Sequence, residues 1–245
     1  MLRLKPILKA ILPSKIRIWL IHIRNLYITR FHTKSYAQQG EDLILREMLA
    51  YAQSGFYVDV GAHHPFRFSN TYLFYKQGWR GINIDAMPGS MKLFDRFRPR
   101  DINIQCGVAY EFEKQRGGGQ MIYYSFNEPA LNGFTPLLET KYANHPLYHL
   151  LEKIPVSVRT LEDILDEYMP RDTNIDFLSI DVEGLDLEVL KSHNFTKYRP
   201  KIILIESWDT TLETLPENET YHFLKERGYL CVAKTINTLI FKEKA

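Results

Sequence analysis

The chain has 245 residues, of which 45% are hydrophobic and 13% aromatic. That composition can bury a sizeable core and excludes a chain disordered throughout, and the length fits one α/β domain with an extra segment. Two cysteines allow at most one disulfide and provide no metal-ligand spacing. Residues 1–34 hold eight Lys or Arg and no acid, so the other 211 residues carry a net charge of −6. That charge argues against a nucleic-acid groove in the folded body.

The first 34 residues mix these basic side chains with large apolar ones, and Pro13 interrupts them. No apolar run approaches the ~18–20 residues that span a bilayer, and no cleavage site follows an apolar stretch. We expect a basic amphipathic helical segment over residues 1–34, ahead of a domain over 35–245. Such a helix either lies on an anionic membrane surface or packs on protein. We expect a cytoplasmic protein, which the first alternative would hold peripherally at the inner face of the membrane.

Short apolar runs, bounded by turn residues or proline, predict buried strands over residues 56–60, 82–84, 102–104, 177–180 and 202–205. Apolar residues at helical spacing predict helices over residues 41–52, 68–77, 87–97, 161–168 and 186–191. The Gly-rich residues 117–119 are predicted to form a loop. A helix over residues 221–227, closed by Gly228, precedes strands over 229–235 and 238–242, which form a hairpin.

This alternation of strands and helices predicts a parallel sheet with helices on both faces. The terminal hairpin adds antiparallel strands at one edge. In such sheets ligands bind beyond the carboxyl ends of the strands, so the residues that follow each strand are the candidates for chemistry.

A glycine turn and an acid follow the first two strands. Gly61, in Asp59-Val60-Gly61-Ala62, allows a tight turn and close approach of a ligand. Asp85 ends the second strand, and an acid ~20–25 residues after a glycine turn can accept both hydroxyls of a ribose. The alternative for Asp85 is a helix N-cap. Since the other dinucleotide glycines and any P-loop are absent, the pair indicates an adenosine-type ligand without a pyrophosphate.

Further acids follow the fourth and fifth strands. Asp181 and Glu183 come after the fourth strand, and Glu206 and Asp209 come at the end of the fifth. A carboxylate there can act as general base for a hydroxyl, while two acids together can hold a hard divalent cation. His63, beside the glycine turn, is another candidate base, although a lone loop histidine is more often structural.

Eight short motifs, taken together in order and spacing, are specific although none is decisive alone. They are Ser35-Tyr36-Ala37-Gln38-Gln39-Gly40-Glu41-Asp42, Tyr57-Val58-Asp59-Val60-Gly61-Ala62, Ser69-Asn70-Thr71, Gly78-Trp79-Arg80-Gly81, Ile84-Asp85-Ala86-Met87-Pro88, Val158-Arg159-Thr160-Leu161, Phe177-Leu178-Ser179-Ile180-Asp181-Val182-Glu183-Gly184 and Ile205-Glu206. Over residues 35–242 the chain therefore resembles FkbM-type methyltransferases, a branch of the class I S-adenosylmethionine-dependent enzymes.

The resemblance implies a Rossmann-like class I methyltransferase fold, with a seven-stranded, mostly parallel sheet and a C-terminal antiparallel hairpin. It implies methyl transfer from S-adenosylmethionine to an oxygen, as in polysaccharide biosynthesis, where the acceptor is a hydroxyl of a sugar, glycan or small metabolite. The residues that it places at the cofactor are Asp59, Gly61 and Ala62 at the methionine part, Asp85 at the ribose, Ala86 and Met87 beside the adenine, Gln105 and Cys106 at the adenine edge, and Asn70 and Thr71 with residues 38–42 as a polar cover.

The acids that follow the fourth and fifth strands, Asp181 among them, are expected near the sulfonium of the methyl donor, and the resemblance gives no universal base. Asp181 is therefore the first candidate base, followed by Glu183 and His63. Asp181 and Glu206 are the candidate ligands of a divalent metal, for which the sequence offers no third committed ligand. The segment around residues 117–146 departs from the family and is expected to shape the acceptor pocket.

Two other classes of protein stay open at this point. One is a nicotinamide-dependent oxidoreductase with the same kind of sheet, which the missing glycines disfavour. The other is a non-catalytic binding module that keeps the fold, which the acids at the strand ends disfavour.

Overall fold

The computed structural model describes residues 13–110, 119–208 and 210–244. The chain divides into two compact units, Met1–Ser35 and Tyr36–Ala245. In the described part of the first unit, helix α1 spans Ser14–Ile23 and is followed by a π-helix over Arg24–Thr29. Residues 1–12 of the predicted basic segment lie outside the described range. Among the described residues, no helix has both the length and the apolar character that crossing a bilayer requires.

The second unit alternates strands and helices along the chain. Its described strands are β1 (Phe56–Val60), β2 (Arg80–Asp85), β3 (Ile102–Gln105), β4 (Gly107–Val108), β5 (Gly119–Phe126), β6 (Leu150–Arg159), β7 (Phe177–Ile180), β8 (Ile202–Glu206), β9 (Tyr229–Lys234) and β10 (Thr238–Glu243). Its described α-helices are α2 (Glu41–Met48), α3 (Tyr72–Gln77), α4 (Met91–Phe97), α5 (Leu137–Tyr142), α6 (Leu161–Tyr168), α7 (Asp186–Lys191) and α8 (Glu219–Glu226). Single 3-10 turns cover Pro129–Leu131 and Leu215–Glu217.

Seven of these strands form one sheet in the order β3-β2-β1-β7-β8-β10-β9. The first five strands in that order are parallel, and β10 runs antiparallel to both β8 and β9. This confirms the predicted mostly parallel sheet with a C-terminal antiparallel pair. Val60 pairs with both Ile84 and Ile180, and Ile180 pairs with Ile205. The strand order reverses between β1 and β7, so the carboxyl ends meet at a topological switch point.

Alternate residues of the central strands pack into cores on the two faces of the sheet. Val58 of β1 belongs to a cluster with Ile164 of α6, and the neighbouring Tyr57 belongs to another with Leu45 of α2. All of β1, β7 and β8 is buried, which agrees with their nearly continuous apolar sequences. Helix α6 begins where the Thr160 side chain caps it by accepting a hydrogen bond from the backbone N–H of Asp163, at 3.1 Å.

Several predicted helix boundaries were too wide. The helix predicted over residues 41–52 ends at Met48, and Ala50 and Tyr51 follow with φ of 50° and 58°. The helix predicted over residues 87–97 begins at Met91, after Gly89 with φ of 85°. In both places the left-handed backbone stops the helix, although the apolar spacing continues.

A second, three-stranded sheet in the order β4-β6-β5 was not predicted. Gly119 opens β5 instead of belonging to a loop, whereas Gly117 and Gly118 lie outside the described residues. Strand β6 contains Pro155, which argues against an interior strand from sequence alone. The structure explains this proline: β4 pairs with β6 only at Val158 and Arg159, so β5 is the one strand paired with β6 at Pro155 in the described part of the chain.

Candidate functional site

A cavity opens at the carboxyl ends of the parallel strands and encloses about 980 Å³, including the open solvent at its mouth. Predicted site residues from several strand ends lie on its wall: Gly61, His63, Asp85, Ala86, Met87, Cys106, Asp181, Glu183 and Glu206. The other predicted cofactor residues, Asp59, Ala62, Asn70, Thr71 and Gln105, do not line it.

Gly61 is required by the close approach of two strand ends. Its φ is +81°, and a Cβ atom there would lie 1.7 Å from the carbonyl oxygen of Asp181. The backbone N–H groups of Gly61 and Ala62 both donate to the carbonyl oxygen of Ile84, at 2.9 and 3.0 Å. Any side chain at residue 61 would therefore separate β1 from β7, as well as strain the backbone. Ala62 itself is buried beside Met91, away from the cavity wall.

Asp85 joins the turns that follow β1 and β2. Its Oδ2 atom accepts a hydrogen bond from the backbone N–H of His63 and its Oδ1 atom one from that of Met87, both at 2.8 Å. Because α4 begins only at Met91, Asp85 is not the N-cap of that helix. Burial raises the pKa of Asp85, and the two backbone N–H groups oppose this rise. A carboxylate oxygen has more than one acceptor site, so each can still accept a hydroxyl from a ligand.

Asp59 supports the glycine turn from behind. Its Oδ2 atom accepts a hydrogen bond from Thr71 Oγ1 at 2.9 Å, and Thr71 Oγ1 in turn accepts one from Arg98 Nη1 at 2.7 Å. Burial raises the pKa of Asp59 to about 6, against the opposing charge of Arg98. Asp59 and Thr71 therefore stabilise the loop that carries the site, whereas contact with a cofactor was predicted.

Arg98 was missed by the sequence analysis, and its side chain is fully buried. The guanidinium donates twice to the carbonyl oxygen of Pro65, at 2.7 and 3.0 Å, and once to Ser69 Oγ at 2.7 Å. It also donates to Asn83 Oδ1 at 3.3 Å. An arginine that ends an amphipathic helix is usually exposed, so no local pattern marks this one as buried. The structure assigns it to holding the loop after β1 against the sheet.

Two further predicted residues act as supports. Asn70 Nδ2 donates to Ser179 Oγ of β7 at 3.0 Å, which ties the loop after β1 to the next strand. Gln105 Oε1 accepts a hydrogen bond from the backbone N–H of Gly89 at 2.6 Å. Both side chains therefore shape the turns around the cavity.

Of the polar cover predicted over residues 38–42, Gln38 lines the cavity. Glu41 and Asp42 are buried. Glu41 Oε1 accepts hydrogen bonds from Thr235 and Thr238 of the C-terminal hairpin, at 3.0 and 3.3 Å. Glu41 consequently fixes this segment to the fold, whereas Asp42 Oδ2 accepts a hydrogen bond from the backbone N–H of Tyr36 within the segment, at 2.8 Å.

His63 and Cys106 lie on the wall in neutral form near pH 7. Burial, followed by the charge of Arg67, lowers the pKa of His63 to about 4, and its Nε2 atom is buried with no hydrogen bond partner among the described residues. Burial raises the pKa of the Cys106 thiol to about 11. His63 is therefore a weak proton acceptor, and Cys106 is not a thiolate nucleophile.

Asp181, Glu183 and Glu206, here called the acid cluster, also lie on the wall. One oxygen from each carboxylate lies within 4.8 Å of the others. Burial among protein atoms, and then the charges of neighbouring carboxylates, raise the pKa of all three, although solvent reaches Asp181 through the cavity. Asp186 is a separate case: its carboxylate accepts from the backbone N–H groups of Val182 and Gly184, both at 3.2 Å, and so holds the loop. Asp209 lies outside the described residues.

The remaining wall comes from the second sheet and the loop beside it, within the broad segment 117–146 that was expected to shape the acceptor pocket. Tyr123 of β5 and residues 129–134 line the cavity. The Phe134 ring packs against Tyr123, with centroids 5.1 Å apart, and sits over Gly107, where a Cβ atom would lie 2.6 Å from Phe134 Cζ. A glycine at residue 107, inside an apolar run, was the available signal for this close packing.

A family model described as the methyltransferase FkbM domain matches residues 59–231. Because the match covers more than half of the chain, the protein belongs to the FkbM methyltransferase family. A solved structure of a methyltransferase from Geobacter sulfurreducens is similar over 99% of this chain and 96% of that one, at 13% identity and a TM-score of 0.42. No curated protein matched the chain. Membership of a methyltransferase family sets the oxidoreductase alternative aside.

Proposed function

We propose that the protein transfers a methyl group from S-adenosylmethionine to a hydroxyl of a sugar, glycan or small metabolite. One observation carries this proposal: Gly61 and Asp85 line the same cavity as the acid cluster. The glycine turn and Asp85 suit the donor, and the acid cluster suits a hydroxyl that must lose its proton.

The chemistry of the donor end fits S-adenosylmethionine. Asp85 is fixed by two backbone N–H groups and retains acceptor sites for two ribose hydroxyls. Ala86 and Met87 adjoin an apolar cluster that includes Phe134, which suits an adenine ring. The single close turn at Gly61 provides no second glycine for a pyrophosphate. When bound, S-adenosylmethionine supplies a methyl group activated by its sulfonium.

At the acidic end, the protein's task is to orient the acceptor oxygen and to take its proton. Carboxylates of Asp181 and Glu183 lie on the wall and are proton acceptors in their ionised form. His63 ranks last for this role because its lowered pKa makes it a poor base. As the new bond from oxygen to carbon forms, the hydroxyl proton passes to one of these carboxylate oxygens.

Binding of S-adenosylhomocysteine, measured by calorimetry, tests the donor end. Asp85→Ala removes two charge-assisted hydrogen bonds to the ribose, each worth about 1.5–3 kcal/mol, so the affinity should fall at least about 100-fold. Asp95→Ala is the matched control, since Asp95 lies on the exposed side of α4, where its Oδ1 atom accepts a hydrogen bond from Asn103 Nδ2 at 3.0 Å. Unchanged affinity in a folded Asp85→Ala protein would refute the ribose assignment.

Turnover with labelled S-adenosylmethionine and a glycan extract tests the transfer itself. A product that gains one methyl group, detected by mass spectrometry, supports the enzyme. Tight binding of S-adenosylhomocysteine without turnover on any hydroxylated acceptor would instead favour the non-catalytic module.

We also infer that the first unit holds the protein at an anionic membrane surface. None of the described residues of α1 or the π-helix is buried, and exposure reaches 67% at Ile18, 74% at Tyr27 and 73% at Ile28. Basic residues such as Lys15 and Arg24 accompany these apolar side chains. Apolar side chains beside cations are the combination that inserts into an anionic headgroup layer.

Sedimentation with lipid vesicles tests this inference. The full chain should bind vesicles that contain phosphatidylglycerol more strongly than vesicles of phosphatidylcholine, and less strongly as salt rises. A variant with Ile18→Ser and Ile28→Ser should bind less, while Leu212→Ser, an equally exposed change in the second unit, should not. Equal binding of all three proteins would remove the inference.

A further inference from the structure

We propose that the acid cluster is a binding site for one hard divalent cation of the Mg²⁺ or Mn²⁺ class. The three ligands would be the carboxylates of Asp181, Glu183 and Glu206, which reach the same part of the cavity from two neighbouring strand ends. Asp181 follows β7 directly, and Glu206 is the last residue of β8, with which β7 is paired in parallel.

The spacing of the carboxylates suits a shared ion. One oxygen from each lies within 4.8 Å of the others. Mg²⁺ holds its oxygen ligands at ~2.0–2.1 Å, so two oxygens on the same Mg²⁺ lie at most about 4.2 Å apart. The 4.8 Å limit on the distances between the carboxylate oxygens is slightly longer, so the side chains would have to draw together to share one cation.

An unsatisfied atom provides a second and independent observation. Glu206 is only 9% exposed, and its Oε2 atom is buried with no hydrogen bond partner in the part of the chain that the structure describes. Buried polar atoms in proteins nearly always have a partner. Since Glu206 lines the cavity, this oxygen points to a ligand that supplies positive charge or a donor there.

Asp186, the nearby acid outside the acid cluster, differs from the three proposed ligands in the use of its carboxylate. Both carboxylate oxygens of Asp186 accept hydrogen bonds from the backbone N–H groups of Val182 and Gly184, which fixes the loop that carries Glu183. Among the described residues, Lys141 is the one cation whose charge lowers a pKa in the acid cluster, that of Glu183. A divalent ion would offset the remaining repulsion between the three carboxylates.

The role of the cation rests on the proposed function. Three protein ligands leave positions open on an ion that prefers about six, and hydroxyl oxygens can fill them. A cation there would orient the acceptor and make its hydroxyl more acidic. The acceptor class is thereby narrowed to molecules with a coordinating hydroxyl, above all the neighbouring hydroxyls of a sugar.

Titration of the metal-stripped full chain with Mn²⁺ tests the site, with the paramagnetic resonance signal of free Mn²⁺ as the readout. We expect one ion per chain, and an affinity reduced roughly tenfold or more by Glu206→Gln and by Asp181→Asn. Glu213→Gln, an exposed acid on the following loop, is the matched control and should bind as the parent does. Melting of Glu206→Gln without metal should occur at the same or a higher temperature, because the change relieves repulsion between buried carboxylates.

A parallel titration with S-adenosylhomocysteine separates this proposal from the proposed function. Asp85→Ala should lose the nucleoside ligand and keep Mn²⁺, and Glu206→Gln should do the reverse. Binding of Mn²⁺ without any binding of S-adenosylhomocysteine would support the metal site and refute the proposed methyl donor. The proposal is overturned if the parent binds no Mn²⁺ at concentrations on the order of 1 mM, the weak end of protein sites for such ions. It is also overturned if Glu206→Gln weakens only the nucleoside ligand, since Oε2 would then serve the donor's ammonium group.

Discussion

Replacing Arg98 by lysine should strongly destabilise the protein and weaken its ligand site, although the charge is kept. The guanidinium makes five hydrogen bonds within a fully buried pocket, two of them to the carbonyl oxygen of Pro65. A lysine ammonium has three donors in a different geometry, so at least two of the five bonds are lost.

The size of the effect follows from these bonds. Hydrogen bonds that involve a charged group contribute about 1.5–3 kcal/mol each, so Arg98→Lys should lower the free energy of unfolding by about 3–6 kcal/mol. That is a large part of the ~5–15 kcal/mol that stabilises a typical domain. The loop released by the change runs from Pro65 to Thr71 and follows His63, whose backbone N–H binds Asp85. Affinity for S-adenosylhomocysteine should therefore fall as well.

Urea unfolding followed by circular dichroism measures the first effect, and calorimetry measures the second. Arg100→Lys is a matched control two residues away: Arg100 is exposed and, within the described part of the chain, donates one hydrogen bond, to the carbonyl oxygen of Tyr75 at 2.6 Å. It should change the free energy of unfolding by less than about 1 kcal/mol. Equal effects of the two substitutions would refute the idea that Arg98 holds the loop.

Three further predictions concern single residues. Gly61→Ala should abolish folding or ligand binding, because its Cβ would lie 1.7 Å from Asp181 O at a φ of +81°; soluble yield and calorimetry would show this. Burial lowers the pKa of His193 from 6.5 to about 4, so between these pH values the unfolded chain binds a proton that the folded protein does not. As the pH falls from 6.5 to 4, the free energy of unfolding of the parent should therefore decrease by about 3 kcal/mol. The His193→Gln protein should not show this decrease when both are unfolded in urea at each pH. Tyr229→Phe should cost about 1–2 kcal/mol in the same assay by leaving Pro200 O without its 2.7 Å hydrogen bond.

The central sheet could be predicted because each of its parallel strands is a short run rich in apolar residues. Four of these strands, β1, β2, β7 and β8, are buried over most or all of their length, and a strand buried on both faces has a nearly continuous apolar sequence. The position of the ligand site followed from topology alone, since the carboxyl ends of parallel strands lie at the same edge of the sheet. Gly61, Asp85 and Asp181 were found in this way, and the structure places all three on one cavity wall.

The supporting contacts could not be predicted, because they depend on partners far apart in the chain. Arg98 is buried only because Pro65, Ser69 and Asn83 converge on it, and nothing in its local sequence distinguishes it from Arg100. The same holds for the second sheet. Half of the side chains of β6 face away from its core, and Pro155 is tolerated where β5 alone is its strand neighbour among the described residues.

The second sheet also leads to a prediction about the cavity, through the contact between Gly107 and Phe134. A Cβ atom at residue 107 would lie 2.6 Å from Phe134 Cζ and 3.1 Å from Val158 Cγ2. The valine belongs to the β6 ladder and is fixed by its register with β4, so the ring is the group that must move. Because Phe134 lines the cavity, Gly107→Ala should push the ring into the space next to Met87.

Calorimetry with S-adenosylhomocysteine can test this coupling in a double-mutant cycle. Gly107→Ala should weaken binding, Phe134→Leu should weaken it modestly by removing apolar contact, and the double variant should bind better than Gly107→Ala alone. The recovery is the informative result, because it requires the ring to be what the new methyl group displaces. If the two effects simply add, the methyl group acts through the strand itself, and the apolar wall beside Asp85 does not depend on the packing of Phe134 over Gly107.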